Sequence, residues 1–181
     1  MATAKTAEFY LTETVTLPNS SADGTRVSQT IDLSPYLNVP TGQAVQIVAV
    51  DFIYQQGPTY SAVASELLAG NGSISCQLVD LNPSTSFVRA DSQSLIASGN
   101  VQIDTANNIA SYVLDLFPDN FGNDVGAFTV VNDLLYLTAG NDANATGNFG
   151  DVYITARIRM KVVKLAQKDW VALALQSTAE N

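Results

Sequence analysis

Val152-Tyr-Ile-Thr-Ala-Arg-Ile-Arg-Met-Lys-Val162 is the stretch whose reading decides the fold class. Val152, Ile154, Ala156, Ile158, Met160 and Val162 share one parity; Tyr153, Thr155, Arg157, Arg159 and Lys161 share the other. Successive side chains of an extended backbone point to opposite faces, so this spacing predicts a strand with an apolar core face and a basic outer face. A helix would scatter the same residues around its axis.

Just past Val162 the period changes. Leu165-Ala-Gln-Lys-Asp-Trp-Val-Ala-Leu-Ala-Leu-Gln has no alternation, and Trp170, Leu173 and Ala174 fall at helical spacing, which predicts a short terminal helix. Residues 177–181 read as a loose tail. On the N-terminal side, the Gly- and Asn-rich segment Ala139–Gly150 reads as a loop, Phe128–Leu137 as an apolar strand, and Pro118–Gly126 as a nine-residue loop. Strands are expected at about 73–81, 86–90, 94–104 and 109–117, with turn residues Asn82-Pro83, Asp91-Ser92 and Asn107-Asn108 between them. Residues 59–70 form the one midchain helix candidate, with Gly70 as its stop. Gln43–Gln55, Val27–Leu33 and Glu8–Leu17 complete the set, each rich in β-branched or aromatic residues. Eight or nine closely spaced strands with no fixed repeat and no linker predict a single all-β domain over residues 1–181, a β-sandwich or barrel.

Composition says what such a domain does with its surface. Only 14% of the 181 residues are charged, against roughly 25% in typical globular proteins. Polarity comes from Ser, Thr, Asn and Gln, whose desolvation costs less than that of a carboxylate or ammonium. This suits faces that meet neighbours, and an ordinary soluble sandwich shows the same bias. The net charge of −9 repels nucleic acid and anionic membrane over most of the surface. Five of the eight bases, Arg157, Arg159, Lys161, Lys164 and Lys168, lie together, while residues 27–156 hold only Arg89.

Chemistry finds little foothold. The chain has no histidine and one cysteine, so Ser-His-Asp and Cys-His nucleophile systems and the usual zinc sites lack their ligands. Cys76 reads as a small buried side chain, and no internal disulfide is possible. Glycine-rich nucleotide loops and a Gly-x-Ser-x-Gly elbow are absent from the sequence. Asp104-Thr-Ala106 faintly matches the aspartic-protease loop but lacks its glycine and a second copy. Asp142-Ala-Asn144-Ala-Thr-Gly147 partly matches the start of a calcium loop, but its twelfth position is Tyr153 rather than glutamate. Asp142, Asn144 and Asp151, with Asp119 and Asp124, are the residues a cation site would draw on. No catalytic residue, cofactor or firm metal site is assigned, and the chain reads as a non-enzyme.

Three readings of the basic strand face stay open. It can be solvated and paired with carboxylates on its neighbours, it can meet an acidic surface of another copy, or it can meet an enclosed nucleic acid or anionic lipid. Aromatics interleave with the bases only at Tyr153 and Trp170, which argues against a sequence-reading nucleic-acid module.

Taken as a set, the early Thr14-Val-Thr-Leu17 with Asp32-Leu-Ser-Pro35, the strand Ala44–Tyr54, the pair Asp133–Thr138 and Val152–Val163, and the closing Lys164–Leu175 resemble the single jelly-roll capsid proteins of icosahedral viruses. The resemblance covers nearly the whole chain as pattern and includes no diagnostic motif. It implies a double Greek-key sandwich of about eight strands with a short C-terminal helix, and a subunit that packs with copies of itself, and with other capsid proteins or an inner membrane, into a virion shell. The basic N-terminal arm typical of genome packaging is missing, which puts direct nucleic-acid binding in doubt. With no signal-peptide core near Met1, production in the host cytoplasm without secretion is expected. A ligand- or carbohydrate-binding β-sandwich and a phage decoration or tail protein remain as alternatives.

Overall fold

The alternation at 9–17 and 152–162 produces two strands that lie side by side in the computed structural model, Leu17 opposite Val152 and Phe9 opposite Met160. The structure describes residues 2–61, 63–114 and 128–179. Among these are β1 (Thr3–Ala4), β2 (Phe9–Leu17), β3 (Arg26–Asp32), β4 (Gln43–Gln56), β5 (Gly72–Val79), β6 (Leu95–Asp104), β7 (Ile109–Leu114), β8 (Phe128–Val130), β9 (Leu134–Asp142) and β10 (Val152–Lys164). Two α-helices accompany them, α1 (Ala64–Leu67) and α2 (Gln167–Ala179), with 3-10 turns at Ser34–Tyr36 and Val39–Thr41.

The pairing is nested. β5 pairs with β6, β4 with β8, β3 with β9 and β2 with β10, all antiparallel. The chain is therefore one long hairpin doubled back over residues 80–94. A straight ribbon would leave its apolar face in water; rolled up, it buries that face against itself. Rolling creates a second set of antiparallel pairings, β4 with β10 and β5 with β9. Two sheets result. Sheet A carries β1 and β2 on one side of β10 and β4, then β8, on the other; sheet B runs β3-β9-β5-β6-β7. This strand order is a jelly roll with two added strands, β1 and β7.

Between the sheets sits one apolar cluster. The even-numbered face of β10 is fully enclosed from Val152 to Met160 and meets Ile47 and Phe52 of β4, Leu17 of β2, and Leu78, Leu135 and Leu137 from sheet B. Burying each such side chain contributes roughly 1.5–3 kcal/mol. Polar ties join the sheets across this core: the Tyr112 hydroxyl of β7 donates to Phe52 O, and the Tyr54 hydroxyl of β4 lies 3.0 Å from Cys76 Sγ of β5. Gly99 of β6 makes room for the latter, since a Cβ there would stand 2.8 Å from the Phe52 ring. Burial pushes the Cys76 thiol up to about 12 and raises Tyr54 as well, so both stay protonated at neutral pH.

Several expectations need correction. Residues 86–90 form no strand; the Gln77 side chain takes the ladder's place, donating to Val88 O at 3.1 Å and accepting from Val88 N at 2.8 Å. Phe128–Leu137 is two strands in different sheets, because the chain crosses the sandwich at residues 131–133, where Asn132 Nδ2 donates to Asp80 O. β9 then runs on to Asp142, into the segment expected as a loop. The midchain helix is only Ala64–Leu67, and α2 reaches Ala179, through the first three residues of the expected tail. β1, unanticipated, pairs with Val163 and Lys164. The expected loop Pro118–Gly126, with Asp119 and Asp124, lies outside the described residues, as do residues 115–117 of the strand expected at 109–117.

Candidate assembly surface

Registers on both sides of β10 arrange the outer face of sheet A as rows running across β2, β10 and β4. They read Thr16–Tyr153–Gln55, Thr14–Thr155–Ile53, Thr12–Arg157–Asp51 and Tyr10–Arg159–Ala49. Threonine dominates because β-branched side chains suit a pleated surface while their hydroxyls satisfy one another. Thr14 and Thr155 hydroxyls are 2.8 Å apart. Ile53 is 37% exposed and Tyr10 54% exposed in the midst of this face. A bulge at Val48, between the Arg159–Ala49 and Met160–Ile47 pairs, bends β4 where Lys161 lies opposite Gln46.

The bases of this face are answered within the chain. The Arg157 guanidinium lies over the Tyr10 ring, 5.0 Å from its centroid. Arg159 Nε stands 3.6 Å from Glu8 Oε2, with both side chains partly exposed, so this pair contributes at most about 1 kcal/mol. With Asp51 opposite Arg157, the face is mixed in charge rather than a basic ladder. The five bases singled out in the sequence do not form one patch. Arg157, Arg159 and Lys161 lie on the outer face; Lys164 falls on the opposite parity, exposed where β10 leaves the sandwich; Lys168 is exposed on α2. Beyond Lys161, the outer positions Val163 and Ala44 are covered by Trp170 and Leu173 of α2.

Sheet B treats its outer face differently. The row Ser28–Thr138–Gln77–Ser98 is just as polar, yet Thr138 is 1% and Ser98 3% exposed. Loop 80–94 lies over it. Gln77 holds Val88 there, and the Arg26 guanidinium lies 4.6 Å over the Phe87 ring.

The other candidates are engaged elsewhere. Asp142 is ion-paired with Arg26, Asp151 Oδ1 accepts from Asn19 N at 2.9 Å, and Asn144 Nδ2 donates to Asn71 O at 3.2 Å. Among the described residues no group of three or more carboxylate or thiol ligands comes together. Asp104 ends β6 at the turn to β7, where the Asn107 amide at 2.6 Å holds its carboxyl below the usual range. That direction is opposite to what a proton-sharing acid requires. Sequence reading missed the pairing of Tyr60, 62% exposed, with Tyr153 at 5.8 Å between ring centroids. No sequence signal marks it, because the two residues lie 93 positions apart. The uncharged rows of β2 were legible in Tyr10, Thr12, Thr14 and Thr16, all on one parity.

No family model and no curated protein sequence matches the chain. Among solved structures it is similar to viral capsid proteins. In the atomic structure of Sulfolobus Turreted Icosahedral Virus, 16% identity extends over 92% of this chain and 32% of that one, with a TM-score of 0.39. Trichodysplasia spinulosa-associated polyomavirus VP1, in complex with sialylated oligomers, matches at 10% identity over 86% and 95% of the two chains, TM-score 0.46. Merkel cell polyomavirus VP1, in complex with GD1a oligosaccharide, matches at 10% over 90% and 98%, TM-score 0.41. This chain spans about a third of the turreted-virus chain. The jelly-roll assignment itself rests on the strand pairing.

Proposed function

We propose that this chain is a structural subunit that assembles with copies of itself into a viral capsid shell, and that its place is the virion. A jelly roll alone does not establish this, since the same fold serves lectins and other proteins. The observation that carries the reading is the open outer face of sheet A: tyrosine, threonine and Ile53 across three strands, with Arg157 over the Tyr10 ring and Arg159 beside Glu8. Interface cores are depleted in unpaired charge and enriched in tyrosine, and such a face can be desolvated at low cost. Further copies are the partners this face fits, with other capsid components or an inner membrane at the remaining surfaces. Arg157 stacks on Tyr10 of its own chain rather than standing clear for phosphate, which supports a role other than genome binding.

The test is light scattering and electron microscopy of purified protein over a range of concentration, salt and calcium. Large assemblies are expected, and a strictly monomeric species throughout would refute the reading. Arg157→Glu combined with Arg159→Glu should weaken assembly and leave the fold intact by circular dichroism, because both side chains point away from the core. The new carboxylates beside Glu8 and Asp51 should cost no more than about 2 kcal/mol of stability. The exposed Tyr60–Tyr153 pair favours a second reading, a ligand-binding sandwich. Oligosaccharide titrations that perturb these two rings in a monomeric protein would favour it instead.

A further inference from the structure

Six consecutive residues of α2, Trp170-Val-Ala-Leu-Ala-Leu175, are apolar, so a helix spreads them around most of its circumference. One side is accounted for: Trp170 and Leu173 pack on Ala44, Val163 and Leu165. On the other, Val171 is 45% and Leu175 65% exposed, four residues apart and therefore one above the other. Beside Val171 opens a cleft of about 490 Å³ whose lining includes Val39, Pro40, Leu165, Trp170 and Val171, and the polar Lys164 and Gln167. Val39 at its rim is 59% exposed, so an apolar strip runs from Val39 past Trp170 to Leu175.

The charges beside the strip select what covers it. Lys164 precedes α2 and Lys168 lies in its first turn, at the positive end of the helix dipole, where cations are disfavoured. From Asp169 to Asn181 there is no base at all. A second α2 laid antiparallel brings its negative C-terminal end to these lysines and answers the mismatch at both ends of the pair. An anionic lipid surface fits less well, since α2 carries one lysine in 13 residues and Asp169 next to it. We infer that α2 of a second copy packs antiparallel on α2 about a two-fold axis, Val171 of each against Leu175 of the other. This rests on the self-assembly reading and names one of its contacts.

The test uses the full chain. Val171→Cys and Leu175→Cys variants are mixed and oxidised; Cys76, at 1% exposure, does not compete. The mixed 171–175 disulfide should form in preference to 171–171 and 175–175. Val171→Asp with Leu175→Asp should keep the circular dichroism and melting temperature of the native chain while weakening association at least about tenfold, because apolar contacts are lost on both sides of the two-fold. No preference for the mixed disulfide, or unchanged association of the double variant, overturns the inference and leaves self-assembly standing. A native chain that is monomeric at every concentration removes both. Binding of the native monomer, but not the double variant, to phosphatidylserine-containing vesicles overturns the inference in favour of a lipid-facing helix.

Discussion

The outer faces of the two sheets are built from the same kinds of side chain and meet different fates. On sheet B, loop 80–94 covers the row Ser28–Thr138–Gln77–Ser98, and Gln77 holds the loop there through both backbone groups of Val88. On sheet A, the rows across β2, β10 and β4 stay open except where α2 covers Val163 and Ala44 and where Tyr60 lies against Tyr153. Composition therefore does not mark a surface as an interface. What marks it is whether the chain covers its own polar rows: loop 80–94 covers the row through Thr138 on sheet B, while the rows through Thr155 and Arg157 on sheet A stay open.

Placing the same charge on each face separates them most sharply. Thr138→Lys puts an unpaired ammonium under the loop, at 1% exposure, and should cost about 3–5 kcal/mol in chemical denaturation. A small effect would mean that the cover over sheet B lifts freely, and the contrast between the faces would go with it.

Alkali should act on both faces together, through the Tyr54–Cys76 tie between the sheets. The Cys76 thiol moves from 9.0 to about 12 on folding. Between those values the unfolded chain releases a proton that the folded chain keeps, so stability is full below pH 9 and falls as pH rises toward 12. The slope is roughly 1 kcal/mol per pH unit. Cys76→Ala should remove the part of the slope that starts near 9, leaving Tyr54 and Tyr112, the latter pushed up to about 12, to act at higher pH. Denaturation midpoints measured across this window check the sign.

The smallest effect on the isolated chain is expected from Thr155→Lys, the counterpart of Thr138→Lys on the open face. Its stability should fall by no more than about 1 kcal/mol, the Thr14–Thr155 hydroxyl contact being lost. Its assembly, followed by light scattering, should be lost, since the new charge would have to be desolvated between copies. Normal assembly would show that the open face of sheet A is solvent-facing in the particle.

Local patterns carried most of the fold. β10 and β2 were legible because alternation is a property of a single strand, and α2 because the period changes after Leu165. Failures came where a distant residue decides a local conformation. Ser86–Ala90 has the makings of a strand, but the Gln77 side chain satisfies its backbone. Phe128–Leu137 is apolar on both sides of Asn132-Asp133 because both halves reach the core, yet they reach it from opposite sheets. The basic residues were found correctly as a sequence cluster; their dispersal over a face, a strand end and a helix follows from where β10 stops. Neither the cover on sheet B nor the bareness of sheet A could be read, since both depend on where loop 80–94 lands.

Nested pairing also sets the order in which the molecule can form. β5 and β6 meet across residues 80–94, whereas Phe9 waits for Met160. Contacts so distant along the chain slow folding, because the intervening segment must be ordered before they bring any return. On a ribosome β2 is among the first strands made and among the last to find its partner. Its alternating apolar edge is therefore exposed through nearly the whole of synthesis, and the half-buried Glu13, in the middle of that edge opposite Ala156, is a charge placed where premature strand addition would have to bury it.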